Sequence, residues 1–172
     1  GYNHTCAVKS DGSTWCWGSN SSGQLGNGSK VDSFSPVRVS LSVPLQEVSG
    51  GEAHTCGFTA TKRVFCWGDD AKGQVTGIPS TNPELLPKEK VFSGMTLKGA
   101  SAGANNSCFD YNVGLGNPNF ILCTGDNASG QTSPIIKTSP RISIVVPATT
   151  LNRATSTTKN TIFVDGIASN YS

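Results

Sequence analysis

The sequence predicts an all-β protein built from repeated units, and three observations support this fold class. First, a Cys-x9-Cys-Trp-Gly pattern at residues 6–18 recurs at 56–68, and a modified copy with a longer spacing occupies 108–125. Second, twenty glycines and nine prolines among 172 residues are typical of a loop-rich β protein. Third, no useful helical period is present. Self-similarity at a fixed period indicates stacked or radially arranged structural units.

Each cysteine pair flanks turn residues between two strand-like segments. If Ser10, Asp11 and Gly12 form a three-residue hairpin loop with a left-handed glycine, Cys6 faces Cys16 across the hairpin. The second copy has the same register around residues 60–62, and extra residues lengthen the loop of the third copy at 112–119. We therefore predict three hairpin disulfides, Cys6–Cys16, Cys56–Cys66 and Cys108–Cys123. Six reduced, buried cysteines are the alternative.

The cysteine spacing does not favour a metal site. Nine intervening residues suit no common zinc-ligand motif. The two histidines, His4 and His54, are also replaced by Asn106 in the third copy. We expect both histidines to form hydrogen bonds at strand ends and neither to be a catalytic base, because the sequence shows no catalytic partner beside them. We predict no metal and no other cofactor.

Disulfides would place the chain in an oxidising compartment, and a second pattern agrees with an extracellular or cell-surface location. Six Asn-x-Ser/Thr triplets are candidate N-glycosylation sites: Asn3, Asn20, Asn27, Asn105, Asn127 and Asn170. Asn20, Asn27 and Asn127 fall in the predicted loops after the second cysteine, where a glycan would not disturb a core. A chain rich in Asn, Ser and Thr also generates such triplets by chance.

Two further repeated motifs have predicted structural roles. The tryptophans of the Trp-Gly pairs would be buried between neighbouring sheets, while the glycines would let the backbone pass close to the ring. By strand alternation Trp15 shares a face with Trp17, which favours a core role for Trp15 as well. The Gly-Gln pairs fit a tight turn whose side-chain amide returns to the backbone. These structural residues are Trp17, Gly18, Trp67, Gly68, Gly23, Gln24, Gly73, Gln74, Gly130 and Gln131.

Charge and hydropathy narrow the choice of partners. A net charge of +2 and a charged fraction of 14% give no argument for nucleic acid. No apolar stretch approaches the twenty or so residues that a membrane-spanning helix needs, so we expect a soluble or externally anchored chain. Since it has neither an initiator methionine nor a signal sequence, we interpret it as a mature or excised segment.

The first unit, Gly1 to Val37, resembles a known repeat. Its Gly-x-x-His-Thr-Cys, Asp-Gly, Trp-Cys-Trp-Gly, Gly-Gln-Leu-Gly and Ser-Pro-Val segments are similar to the repeat of the regulator of chromosome condensation superfamily, and this resemblance implies β-propeller blades. Residues 65–70 and 86–90 look like the cysteine-containing extracellular repeats of plant crinkly receptor kinases. The resemblance covers about residues 1–137. The third unit departs from it at Thr124 and Asn106 and in its longer hairpin loop.

The resemblance implies three repeats, at about 1–44, 45–96 and 97–140, followed by a non-repeat tail at 141–172. Propellers close with about four to eight blades, so three units are incomplete as a closed propeller and leave open sheet edges. Either further blades belong to a longer parent chain, or copies of the chain complete one another. The tail has two strand-like runs, 142–146 and 161–164. They would pack on their own sheet or extend the sheet of a neighbouring copy.

Function is predicted from the absence of chemical motifs and from the loops. The sequence has no nucleophile elbow, phosphate loop, zinc-protease motif or calcium loop, which favours a non-enzymatic protein. The first hypothesis is an extracellular recognition module that binds a protein, peptide or glycan through loops 29–35, 76–86 and 112–119. The second is a structural subunit of a glycosylated surface filament or matrix, assembled by head-to-tail strand exchange through its tail and open edges. A small-GTPase exchange factor is the remote alternative.

Overall fold

The structure is a computed structural model that describes residues 1–91, 96–112, 119–132, 135–137, 142–145 and 161–164. Within these residues the secondary structure consists of strands and turns without a helix. The strands form three antiparallel sheets, each following chain order. The predicted all-β fold with open, unclosed blades is confirmed.

Each sheet corresponds to one repeat. Unit 1 is the three-stranded sheet of β1 (His4–Val8), β2 (Thr14–Gly18) and β3 (Ser33–Arg38). Unit 2 is the four-stranded sheet of β4 (Glu47–Gly50), β5 (His54–Phe58), β6 (Val64–Gly68) and β7 (Glu84–Lys90). Unit 3 is the six-stranded sheet of β8 (Thr96–Ala102), β9 (Asn106–Asn112), β10 (Asn119–Gly125), β11 (Ile135–Lys137), β12 (Ile142–Val145) and β13 (Thr161–Val164).

The hairpins adopt the register expected from the sequence. Cys6 lies opposite Cys16, and Gly12 in the turn has a φ of 79°. In unit 2 the corresponding turn residue is Lys62, which adopts a φ of 66° although it carries a side chain. The paired cysteines of all three hairpins are joined by disulfide bonds, Cys6–Cys16, Cys56–Cys66 and Cys108–Cys123.

The glycines of the Trp-Gly pairs lie where another segment of backbone approaches closely. Gly18 has a φ of 105°, and a Cβ atom built on it would lie 2.5 Å from the carbonyl oxygen of Asn3. Gly68 makes the same close approach to the backbone at Ala53, with a distance of 2.6 Å. These glycines therefore leave room for the backbone that leads into the neighbouring strand.

The core lies between the sheets, which pack face to face. The interface between units 1 and 2, called here the first seam, contains the buried cluster Cys16, Leu25, Val39, Leu45, Phe65 and Trp67. The interface between units 2 and 3, called here the second seam, contains Cys56, Phe58, Val64, Cys66, Val75, Leu97, Phe109 and Tyr111. Burial of these apolar surfaces is the main term that stabilises the stack.

The strands of the tail belong to the sheet of unit 3. β12 pairs with β11, and β13 pairs with β12, both in antiparallel register. The expected boundary between residues 140 and 141 thus falls inside one sheet. Of the two arrangements expected for the tail, the structure has the one in which it packs on its own sheet.

Candidate binding site

A turn with the same hydrogen bonds follows the second cysteine of every unit, and we call it the Gly-Gln turn. The glutamine Oε1 atom accepts a hydrogen bond from the backbone N–H two residues earlier, and an Asn or Asp side chain accepts one from the residue after the glutamine. The glutamine bonds are Gln24 to Ser22 at 2.9 Å, Gln74 to Lys72 at 2.8 Å and Gln131 to Ser129 at 2.8 Å. The other acceptors are Asn20, Asp70 and Asn127. The turn is thus built by its own side chains, as the Gly-Gln motif indicates.

In the first seam the Gly-Gln turn of unit 1 receives two side chains of unit 2. The backbone carbonyl of Gln24 accepts a hydrogen bond from Trp67 Nε1 at 2.8 Å and another from Thr55 Oγ1 at 2.9 Å. His4 Nε2 lies 2.9 Å from the same threonine hydroxyl. Trp67 is 0% exposed, so the hydrogen bond of its indole N–H is fully buried in the interface.

In the second seam the same positions carry different residues. His54 Nε2 lies 2.9 Å from Ser107 Oγ, but Thr124 replaces the tryptophan and its hydroxyl reaches the Gln74 carbonyl at only 3.4 Å. Lys90 Nζ donates to Thr124 Oγ1 at 2.9 Å. Its ammonium also lies 4.9 Å from the centre of the Phe109 ring. A cavity of about 220 Å³ remains beside them.

Both histidines and Lys90 have altered acidities because the seams are poorly hydrated. Burial is the largest cause that lowers the pKa of His4 and of His54 to about 4. Burial also lowers the pKa of Lys90 to about 8, against the opposing effect of Asp70. The two histidines are therefore neutral hydrogen-bonding groups of the seams at neutral pH.

The two ends of the stack expose the residues that the seams bury. The leading face of unit 1, defined by Thr5, Trp15, Trp17 and Phe34, leaves Thr5 and Phe34 exposed and both tryptophans only partly buried. The predicted core roles of Trp17 and Trp15 are therefore only partly realised, because no sheet in the described part of the chain covers this face. The trailing face of unit 3, defined by Asn106, Gly130 and Gln131, exposes its Gly-Gln turn.

A cleft of about 710 Å³ opens between the hairpin turns of units 1 and 2, and we call it the hairpin cleft. Its walls come from residues 8–12, residues 43–46, residues 59–61 and Arg63. Val8, Val43 and Leu45 contribute apolar surface, while Lys9 and Arg63 bring positive charge to it. Such a concave, mainly apolar surface with a few polar groups is the usual form of a ligand-binding site.

The charged groups of the hairpin cleft are held by neighbours. Arg63 forms a bidentate pair with Glu89, with N to O distances of 2.7 and 2.6 Å. Lys9 Nζ lies 5.0 Å from the centre of the Trp15 ring. Asp11 accepts hydrogen bonds from the Ser13 N–H and hydroxyl, and these bonds lower the pKa of its carboxyl group. Both basic groups are therefore already engaged by neighbours within the chain, Arg63 by the Glu89 carboxylate and Lys9 by the Trp15 ring.

The loops that the sequence singled out do not form this cleft. Connections alternate between the two edges of an antiparallel sheet, so residues 19–32 and 69–83 lie at the edge opposite the hairpin turns. The predicted binding loops 29–35 and 76–86 start at that opposite edge, and residues 113–118 of the third loop lie outside the described residues. The segment 43–46 was missed because a short linker between two units carries no motif.

The asparagines of the candidate N-glycosylation triplets differ in solvent accessibility. Asn20 is 0% exposed, and its Nδ2 atom donates to the carbonyls of Ser29 and Val31 at 3.0 Å each. The expectation that Asn20 could carry a glycan without disturbing a core is therefore wrong for the folded chain, because its amide nitrogen is buried in the turn. Asn3 and Asn127 are exposed, Asn27 and Asn105 are partly buried, and Asn170 lies outside the described residues.

The described residues lack two kinds of feature. They contain no group of three or more His, Cys, Asp or Glu side chains placed to hold a metal ion. Nor does the described part of the chain include a helix with the length and hydropathy needed to cross a bilayer.

Comparison with protein families identifies the repeat. Residues 11–58 and residues 46–74 match two models of the regulator of chromosome condensation (RCC1) repeat. A search of curated protein sequences found no match. Residues 11–74 are thus similar to the RCC1 repeat, in agreement with the resemblance seen in the sequence.

Two solved structures, Prp20p and WBSCR16, share the fold of this chain. Prp20p from Saccharomyces cerevisiae aligns with a TM-score of 0.64 and 18% identity over 76% of this chain, and human WBSCR16 aligns with a TM-score of 0.61 and 18% identity over 70%. The crinkly ectodomain of the Arabidopsis thaliana receptor kinase ACR4 aligns with a TM-score of 0.46 and 21% identity over 72% of this chain and 34% of its own. This chain spans only 30% of the length of Prp20p and of WBSCR16.

Proposed function

We propose that this chain of RCC1-like repeats is a non-enzymatic recognition module that binds a protein partner through the hairpin cleft. The cleft is the observation that carries the proposal, since it is a concave surface of about 710 Å³ shared by two adjacent units. The apolar walls would take one or more apolar side chains of the partner, and Lys9 would favour an acidic residue beside them, whereas the charge of Arg63 is already paired with Glu89.

The fold relatives support a protein partner. Yeast Prp20p was described with its binding properties to Gsp1p and histones, and yeast RCC1 was crystallised with Kap60 bound. In the described part of this chain, the buried histidines each bond a hydroxyl across a seam and do not face a shared cavity. The titratable groups of the seams therefore serve packing, which favours binding over catalysis.

The proposed location is extracellular or on the cell surface. Three disulfides in a chain with no free cysteine are typical of an oxidising compartment. The same argument weighs against the remote alternative of an exchange factor for a small GTPase, which would act in a reducing compartment. We expect glycans at the exposed Asn3 and Asn127 and none at Asn20 when the chain is secreted from a glycosylating cell.

Peptide mass mapping of secreted protein checks this expectation. Occupancy at Asn20 in folded protein would contradict the buried position of its amide. Absence of glycans from all five described acceptors would remove the support that the triplets lend to an extracellular location.

The cleft is tested with two substitutions of alanines in exposed turns. Ala60 lines the hairpin cleft, while Ala71 is an equally exposed alanine at the opposite edge of the same unit. We expect Ala60→Arg to weaken, by at least about tenfold, the binding of peptides selected from a displayed library on the unsubstituted chain, and Ala71→Arg to leave it unchanged. Equal binding by both variants would place recognition elsewhere, and the failure of selection to enrich any peptide would count against a peptide-binding cleft.

The structural-subunit hypothesis needs a mode of assembly other than strand exchange through the tail. Strand exchange requires a tail that leaves its own sheet, whereas β12 and β13 pair within the chain. Assembly into a filament or matrix would therefore need another contact, and the open faces at the two ends of the stack are the candidates.

A further inference from the structure

The leading and trailing faces are halves of an interface that the chain already forms internally. Trp17 occupies the position of Trp67, and Trp15 occupies that of Phe65, both of which are buried in the first seam. Phe34 and Leu85 correspond because each follows the residue that pairs with the glycine of the Trp-Gly motif. Phe34 is 101% exposed, whereas Leu85 is partly buried.

The first seam shows what such a face packs against. Leu85 of unit 2 lies on Gly23 of unit 1, so closely that a Cβ atom on this glycine would be 2.6 Å from the leucine Cδ2 atom. The N–H of Gly28 donates to the Leu85 carbonyl at 3.1 Å. The aromatic face of a unit is therefore complementary to a Gly-Gln turn.

The Gly-Gln turn of unit 3 is not covered by any of the residues that the structure describes. Gly130 has a φ of 78°, close to the 75° of Gly23 and the 78° of Gly73. A Cβ atom on Gly130 would meet no described atom within 4 Å. Gln131 is exposed, while Gln24 and Gln74 are buried by the unit that follows them.

We propose that the leading face of one copy packs on the trailing face of a second copy, which extends the stack from unit 3 to unit 1. Phe34 would pack on Gly130 of the second copy, and Trp17 Nε1 would donate to the backbone carbonyl of its Gln131. Thr5 would take the place that Thr55 has in the first seam. This contact is independent of the hairpin cleft and does not rest on the recognition function proposed above.

The contact is head-to-tail, so its consequence depends on whether it closes. Two copies would bring together six units, which lies within the range of about four to eight blades of closed propellers. A contact whose rotation does not close would instead produce an open filament. Either assembly buries two tryptophans and a phenylalanine that form an exposed aromatic patch in the single chain.

Analytical ultracentrifugation of the folded chain over a wide concentration range tests the proposal. We expect a mass of two or more copies. Phe34→Asp and Gly130→Asp should each raise the dissociation constant at least about tenfold. Phe34→Asp should leave the single chain intact because Phe34 is fully exposed. Gly130→Asp has open space among the described residues, but its left-handed backbone costs an aspartate some stability, so its fold is verified separately. Ile78→Asp alters an equally apolar residue that is 75% exposed outside both faces, and it should leave association unchanged.

A mixing experiment distinguishes this contact from other kinds of self-association. Phe34→Asp protein retains a normal trailing face, and Gly130→Asp protein retains a normal leading face, so an equimolar mixture should form pairs that neither variant forms alone. Circular dichroism and thermal unfolding verify that each variant folds. A chain that stays monomeric at all concentrations would overturn the proposal, as would association that Ile78→Asp weakens equally or a mixture that shows no recovery.

Discussion

The two seams of the molecule are built at the same repeat positions but pack in different ways. The first seam buries the indole of Trp67 against Val39, and its N–H reaches the Gln24 carbonyl at 2.8 Å. The second seam has Thr124 and Lys90 at these positions, with a longer bond of 3.4 Å to Gln74 and a cavity of about 220 Å³. Unit 3 is therefore attached with less apolar burial than unit 2 at this point, although the repeat is continuous.

The two seams differ at two neighbouring positions at once. The first has Trp67 and Val39 there, and the second has Thr124 and Lys90. A lysine at the position of Val39 would lack a hydrogen-bond partner on the indole ring, whereas Thr124 gives the ammonium of Lys90 a hydroxyl partner at 2.9 Å. The threonine in turn leaves room for the amine. A buried polar group is tolerated where it is hydrogen-bonded, so the Lys90–Thr124 pair maintains the second seam at the cost of packing.

The largest effect is expected when the first seam loses its ring. Trp67→Ala should lower the free energy of unfolding by about 3 to 5 kcal/mol, since it removes a fully buried ring and leaves a cavity. Trp17→Ala, at the same repeat position on the open leading face, should cost only about 1 kcal/mol at a concentration where the chain is monomeric. Urea unfolding compares the two variants. Equal losses would mean that the seam does not decide the contribution of this tryptophan.

Acid should weaken the second seam through His54. Its folded pKa of about 4 lies below the ordinary 6.5, so the unfolded chain binds more protons between these values and stability falls as the pH falls through this window. At pH 5 the loss due to His54 should be about 2 kcal/mol relative to neutral pH. His54→Asn, which introduces the residue found at Asn106, should remove this part of the pH dependence.

The measurement is the unfolding free energy of both proteins at pH 7.5 and pH 5. Carboxylates titrate in both proteins, so their contribution cancels in the difference between the two pH dependences. An unchanged pH dependence in His54→Asn would show that the pKa of His54 is not lowered in the folded chain.

A smaller effect should follow from rebuilding the second seam on the pattern of the first. The double variant Lys90→Val with Thr124→Trp should gain about 1 to 2 kcal/mol, because an apolar ring fills the cavity without an ammonium beside it. Thr124→Trp alone should be less stable than the double variant, because the indole removes the hydroxyl partner of Lys90. Thermal and urea unfolding of the set test this coupling, and additive effects of the two changes would contradict it.

A glycine of the preceding turn lies beside the tryptophan position in the first seam and beside its equivalent, Thr124, in the second. In unit 1 a Cβ atom on Gly26 would lie 2.7 Å from Trp67 Nε1, so only glycine fits there. In unit 2 the corresponding residue is Thr76, but Gly77 lies beside Thr124 with a hypothetical Cβ 3.7 Å from its methyl group. A glycine therefore faces this position in both seams, but Gly77 stands one residue later in its turn than Gly26 does.

Local sequence determined the parts of the structure that depend on neighbours along the chain. The spacing of Cys6 and Cys16 around Gly12 sets the hairpin register because the turn decides which residues face each other. The Gly-Gln turns likewise close with their own side chains, so that Gln24, Gln74 and Gln131 form the same bond in three different environments.

Only the tertiary structure decided which copies of a repeated residue are buried. Trp17 and Trp67 have the same local sequence, yet only Trp67 meets a Gly-Gln turn of a preceding unit. Asn20 and Asn127 occupy the same turn position, but Asn20 is enclosed by its longer loop while Asn127 is exposed. The hairpin cleft also exists only where two units meet. Burial and clefts depend on the faces that neighbouring sheets present, and repeats of the same local sequence do not specify their own neighbours.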